Sequence, residues 1–202
     1  MKLLALLMLF SVGFLSGCAT TPPSNPNNIC DIFEEQPDWY KAAKKSENRW
    51  GTTVPVIMSI MYQESQFVQK ARPARTKFLW IFPGPRPSSA YGFAQVKSET
   101  WDDYQRDEGG IWARRDSFKD AADFIGWYNY QSQNRNKIKA NDAYNLYLAY
   151  HEGQGGYNRK TYNGKSWLKA TAQKVATRTA SYTSQLQACE DDLDSGHWWW
   201  PF

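Results

Sequence analysis

Apolar and polar positions alternate along most of this chain in a three- and four-residue rhythm. From Pro55 to Phe67, PVIMSIMYQESQF, apolar residues recur at Ile57, Ile60, Met61 and Phe67, the stripe of one helix face. Glu64 falls on the seventh step of that stripe, so an acid is carried inward on a buried helix; the alternative is that it bends out to solvent at the helix end. Thr52 or Thr53 offers a capping hydroxyl, and Pro55 suits a first turn, where a missing N–H costs little. The same rhythm predicts a helix from Asp38 to Trp50 closing at Gly51, and a turn capped by Ser98 that carries Trp101 and Tyr104 and stops at Gly109-Gly110. Ser117 with Asp120 opens a helix whose Phe118, Ala121, Ala122, Ile125 and Tyr128 form one core stripe. Asn141 or Asp142 opens another, with Ala143, Leu146, Tyr147 and Tyr150 aligned and Gly153 as its stop. Ser166 begins a last long helix on which Leu168, Thr171, Val175, Tyr182 and Leu186 share a face. Convincing strand alternation is absent, so the expected class is mainly α with at most a small β-hairpin.

Two stretches break the rhythm. Arg72 to Ser89, RPARTKFLWIFPGPRPSS, combines prolines, a Pro-Gly turn and the aromatics Phe78, Trp80 and Phe82. Its length and aromatic content leave two readings, a flap over a groove beside Glu64 or an arm packed on the domain's own surface. The tail, residues 190–202, is acidic from Glu190 to Asp194 and aromatic from His197 to Phe202; it suits a lipid interface or partner groove, or docking on the parent domain.

Residues 1–17 have one early lysine and a short apolar run ending in small residues, the pattern of a secretory signal rather than a membrane span. Leu15-Ser16-Gly17-Cys18 resembles a bacterial lipobox, whose cleavage leaves the cysteine as an acylated N-terminus. With Ala19 following, that resemblance implies the periplasmic face of a Gram-negative outer membrane; an ordinary signal peptide is the alternative. Residues 18–28, rich in Pro, Thr and Asn, then form a tether expected to be disordered. The folded body, residues 29–189, is one domain of ordinary size without internal repeats.

Composition sets limits. The chain has 24 Lys+Arg against 20 Asp+Glu, and without Lys2 the balance is +3, too mild to argue for nucleic acid. Aromatics make up 16%, more than a small core requires; Trp and Tyr suit either cores or surfaces that stack on sugars. Cys30 and Cys189, near the two ends of an exported body, read as a disulfide, with two free thiols as the alternative. Two histidines far apart and no ligand-spaced Cys/His cluster leave no metal site or cofactor to expect.

Three motifs in order carry a resemblance. Gln63-Glu64-Ser65 looks like the Glu-Ser motif, Ala90-Tyr91-Gly92-Phe93-Ala94-Gln95 the Gly-Leu-Met-Gln motif, and Ala149-Tyr150-His151-Glu152-Gly153 the Ala-Tyr-Asn-x-Gly motif of the lytic transglycosylases that share the goose-type-lysozyme-like SLT domain. The chain resembles a lipoprotein form of that family, departing from its pattern where His151 replaces Asn, where Phe93-Ala94 replaces Leu-Met, and where Arg72 to Ser89 is inserted. The family's last tyrosine has no clean counterpart: Lys174-Val175 lies where a Tyr-Val pair is expected, and Tyr182, which comes later, receives no role.

The resemblance implies Glu64 as catalytic acid and base, Ser65 orienting the acid or sugar, and Tyr91, Gln95, Tyr150, His151 and Gly153 lining a groove for peptidoglycan glycan strands. It implies cleavage of the MurNAc-GlcNAc β-1,4 bond with a 1,6-anhydromuramoyl end as product. The rival readings are a muramidase in which Glu152, Asp102 or Asp103 activates water, and a non-catalytic peptidoglycan-binding lipoprotein.

Overall fold

The computed structural model describes residues 20–78 and 82–195. Expectations for residues 1–17, Cys18, Trp80 and the run from His197 to Phe202 lie outside the described residues. The body is mainly helical: α1 Ile29–Glu35, α2 Pro37–Trp50, α3 Val54–Ser65, α4 Ser98–Tyr104, α5 Phe118–Asn136, α6 Ala143–Asn158 and α7 Ser166–Ser195. One antiparallel pair, β1 Lys77–Phe78 with β2 Phe82–Pro83, is the small hairpin inside the arm.

Helix α3 is the centre, and it is not the one-sided stripe the sequence predicts. Every residue from Val54 to Met61 is buried, because α2, α5 and α7 all pack against it. A helix apolar all round is a core helix. It ends at Ser65 rather than Phe67: Gln66 and Phe67 have φ of 51° and 62°, and the reversal folds the Phe67 ring back onto Trp39 and Tyr62. Its start also differs from expectation. Thr53 occupies the cap without a side-chain bond, its carbonyl accepting from Ile57, while the Thr52 hydroxyl is buried and accepts from Gln133.

Ser117 and Asp142 cap α5 and α6 with their side chains, and Gly51 ends α2, as their sequence positions predict. Ser98 does not cap α4. It is the first helical residue, and its N–H donates to the Ser89 hydroxyl, so the end of the arm caps this helix instead. After Tyr104 the chain widens into a π-turn, Gln105–Gly109. Gly153 is not a stop either: it takes φ 73°, ψ 157° and kinks α6, which then resumes to Asn158.

Residues 20–28 are not a disordered tether. Pro23 is buried, Thr20 donates to Gln69, and the Pro26 carbonyl accepts from Tyr182 and Arg178. The segment has little to bury, but α7 presents a row of polar side chains that satisfy its backbone, and Asn28 caps α1. Cys30 of α1 is disulfide-bonded to Cys189 of α7. Helix α7 also runs on through the acidic stretch, with Glu190 bonded to Lys44 and Asp194 to Tyr40.

The aromatic excess is mostly core. Trp39 stacks on Phe118 at 4.1 Å and meets Phe93 edge-on, and a second series runs from Trp101 through Tyr104, Phe124 and Tyr128 to Tyr150. The first cluster positions the loop after the arm, and the second ends in a cleft.

Candidate active site

The last turn of α3 carries Glu64 to a cleft of about 500 Å³, where it meets residues from four other elements, among them Thr100 in the first turn of α4. Ala90, Gln95, Val96 and Lys97 come from the loop after the arm, Phe124 and Tyr128 from α5, and Tyr150, His151, Glu152 and Gly153 from α6. The kink at Gly153 ends the regular part of α6 at this wall, and its φ of 73° is one that side-chain-bearing residues rarely adopt.

Loop geometry is set by the backbone. Gly92 has φ 77°, and a Cβ there would lie 1.9 Å from the Arg115 carbonyl oxygen, so no other residue fits. Phe93 N–H donates to that same oxygen and Phe93 is buried, which anchors the loop below the cleft. Gln95 follows with φ 47°, its amide nitrogen donating to the carbonyls of Ala71 and Gly92 at 2.9 Å each. The Tyr150 hydroxyl donates to the Ala94 carbonyl at 2.7 Å and ties α6 to the loop.

Glu64 is half-buried in this setting. Burial pushes its carboxyl up to about 7, against a hydrogen bond from the Tyr147 hydroxyl that favours the charged form. Tyr147 and Tyr150 are in turn raised, first by burial and then by the charge of Glu64, so both remain neutral donors. Glu152, on the same cleft, has the opposite environment. Burial pushes it up, but hydrogen bonds from Lys165, Thr161 and His151 outweigh this and hold it down to about 2. Both Glu152 oxygens lie within 2.9 Å of Lys165 Nζ. One cleft therefore holds a carboxyl that keeps a proton near neutrality and another fixed as a charged partner of a lysine.

The residues named from sequence separate into two groups. Glu64, Gln95, Tyr150, His151 and Gly153 line the cleft together. Ser65 and Tyr91 lie outside its lining: the Ser65 hydroxyl donates back to the Met61 carbonyl at 3.1 Å, and Tyr91 bonds Asp116 beneath the Arg72 guanidinium. His151 sits with Nδ1 3.0 Å from Glu152 and its ring edge-on to Trp167, so the imidazole belongs to the cleft rim. Asp102 and Asp103 face solvent on α4, Asp103 paired with Arg106. Tyr182 is buried on α7 with its hydroxyl on Pro26, engaged in holding the N-terminal segment.

Sequence reading placed Tyr147 and Tyr128 in the core and did not mark either for the site. A usable signal existed: a buried phenol requires a partner, and Tyr147 stands three residues before Tyr150 on one helix face. Lys165, in the turn before α7, carried no local signal at all. The larger groove of about 730 Å³ between α7 and the starts of α3 and α6 offers no comparable acid. Its Glu47 and Glu190 both pair with Lys44, and its Asp142 caps α6.

The body is mainly helical, and its cleft holds a carboxyl that keeps a proton near neutral pH, the kind of group that protonating a glycosidic oxygen requires. The chain belongs to the transglycosylase SLT domain family, whose model matches residues 6–189. Membership gives it a transglycosylase-type function acting on peptidoglycan. No curated protein and no solved structure matches the chain.

Proposed function

We propose that the protein is a lytic transglycosylase that cleaves the MurNAc-GlcNAc β-1,4 bond of peptidoglycan with Glu64 as its one acid and base. The observation that carries this reading is the environment of Glu64, raised to about 7 by burial while the other glutamate lining the cleft is held charged by Lys165. Protonated Glu64 donates to the bridging oxygen, and the bond from that oxygen to the muramoyl anomeric carbon breaks. The substrate's own N-acetyl group assists at the electron-poor carbon. The resulting Glu64 carboxylate takes the proton of the muramoyl 6-hydroxyl as that oxygen bonds the anomeric carbon, which regenerates the acid and consumes no water. A second carboxylate is not needed, and Glu152 is committed elsewhere.

Gln95, Tyr150, His151 and Gly153 contact the glycan in this reading; Tyr91 acts from behind the loop, and Ser65 by steadying the turn that carries Glu64. We also propose that Cys18 is acylated and holds the chain at the periplasmic face of the outer membrane. Mass spectrometry of a purified peptidoglycan digest tests the chemistry. The expected product is lighter than a hydrolysed one by one water, and hydrated ends would replace this reading with a muramidase.

A further inference from the structure

Ile111 and Trp112 are the most exposed large apolar side chains among the described residues, at 80% and 86%. They stand side by side at the tip of the loop between the π-turn and α5, and this loop is held firmly. The Gln105 side-chain amide donates to the carbonyls of Gly110, Ile111 and Ala113, at 3.0 Å for the last. Arg114 N–H donates to Asp120, and Ala113 and Ser117 close turns on Gly110 and Arg114. A pinned loop that presents two adjacent apolar side chains to water is a contact surface awaiting an apolar partner.

The other end of the chain says which partner. Thr20, the first described residue, donates to Gln69 Oε1 at 3.1 Å, and the Nε2 of the same glutamine donates to the Asp116 carbonyl at 3.0 Å. Asp116 lies four residues from Trp112, so one side chain joins the N-terminal segment to the base of this loop. Because residues 20–28 are docked, only Ala19 separates the fixed body from Cys18, two Cα steps and a reach of at most about 7 Å. A lipid on Cys18 therefore brings the bilayer to the side of the body that bears the loop.

We infer that Ile111 and Trp112 form a membrane-interface contact that seats in the headgroup region of a phospholipid bilayer beside the N-terminal anchor. Tryptophan favours that depth, and isoleucine supplies hydrocarbon but no flat face for a sugar. Nearby Arg106 and Arg114 are neutralised by Asp103 and Asp116, so attraction to anionic lipid contributes little. The choice of the anchored bilayer rests on the acylation of Cys18 proposed above, whereas the loop's affinity for lipid does not.

The test uses the chain from residue 18 with Cys18→Ser, which retains every described element. Trp198, Trp199 and Trp200 are replaced by Ser so that the tail adds no affinity. Sedimentation with vesicles of phosphatidylethanolamine and phosphatidylglycerol should show partitioning that survives high salt, and adding Ile111→Ser with Trp112→Ser should reduce it by about tenfold or more. Unchanged melting of that variant shows that the fold is intact. Equal partitioning of the two forms, no partitioning by either, or loss in salt overturns the inference. Displacement from vesicles by soluble glycan strands reassigns the pair to substrate. Anchoring is read separately, by membrane retention in cells of the chain with and without Cys18→Ser, so the two claims fail independently.

Discussion

Glu64 and Glu152 line the same cleft yet stand on opposite sides of the ordinary glutamate range, one raised to about 7 and the other lowered to about 2. Burial sets Glu64 high, whereas at Glu152 hydrogen bonds from Lys165, Thr161 and His151 outweigh it. Only Glu152 has a lysine to offset it, and only Glu64 retains a proton to give near neutral pH.

Glu64→Gln keeps the shape and removes the transferable proton, so turnover on purified peptidoglycan should fall about a thousandfold or more. Glu152→Gln should cost less than about tenfold, through loss of the Lys165 pairing at the cleft wall. Equal collapse of both variants would indicate a working pair of carboxylates and the hydrolytic chemistry such pairs perform.

The pH profile should carry the Glu64 titration. Because the reacting form is protonated, kcat/KM should fall as pH rises through about 7. The Tyr147 hydroxyl favours the carboxylate, so Tyr147→Phe should raise the Glu64 pKa further and move the descending limb to higher pH. A limb that stays in place would remove Tyr147 from the acid's environment.

Stability should show the same titration, but Glu64→Gln, which loses activity, should gain stability from it. The folded pKa of Glu64 lies above the unfolded value near 4.5, so its stabilising proton is fully bound below that pH and is lost as pH rises through about 7. Glu64→Gln abolishes this dependence. The variant should unfold at higher denaturant than the parent at pH 8, by roughly 1–3 kcal/mol, and the gain should shrink toward zero at pH 4.

The Cys30 to Cys189 disulfide closes a separation of 159 residues and joins α1 to α7. Replacing both cysteines with serine should lower stability by about 2–5 kcal/mol in equilibrium unfolding. Thiol titration of the unfolded, unreduced chain carrying Cys18→Ser should find no free thiol, and two would refute the bridge.

What the sequence determined by itself was local. The Ser117 and Asp142 caps, the Gly51 stop and the 3.6-residue rhythm of α5 and α6 act within a turn or two of their own residues, so element type and much of the boundary placement were legible there. So were the three motifs, because their order survives without coordinates. The Gly153 kink and the Ser98 start were misread for a corresponding reason. Gly153 meets the cleft wall and the helix re-forms beyond it, and the donor of Ser98 is satisfied by Ser89, nine residues earlier at the end of an irregular arm.

Only the tertiary structure decided how far Glu64 is withdrawn from water, since that depends on the loop after the arm, α5 and α6 closing around the end of α3 rather than on a stripe along it. It alone supplied Tyr147 as the partner of Glu64 and Lys165 as the partner of Glu152, pairs 83 and 13 residues apart by their numbering. It also docked residues 20–28, whose composition predicts disorder. A segment with almost no apolar surface cannot order itself, but here Gln69, Arg178, Tyr182 and Gln185 meet its backbone groups. Burial, ion pairing and backbone satisfaction are properties of surroundings, and the surroundings of each of these groups come from distant parts of the chain.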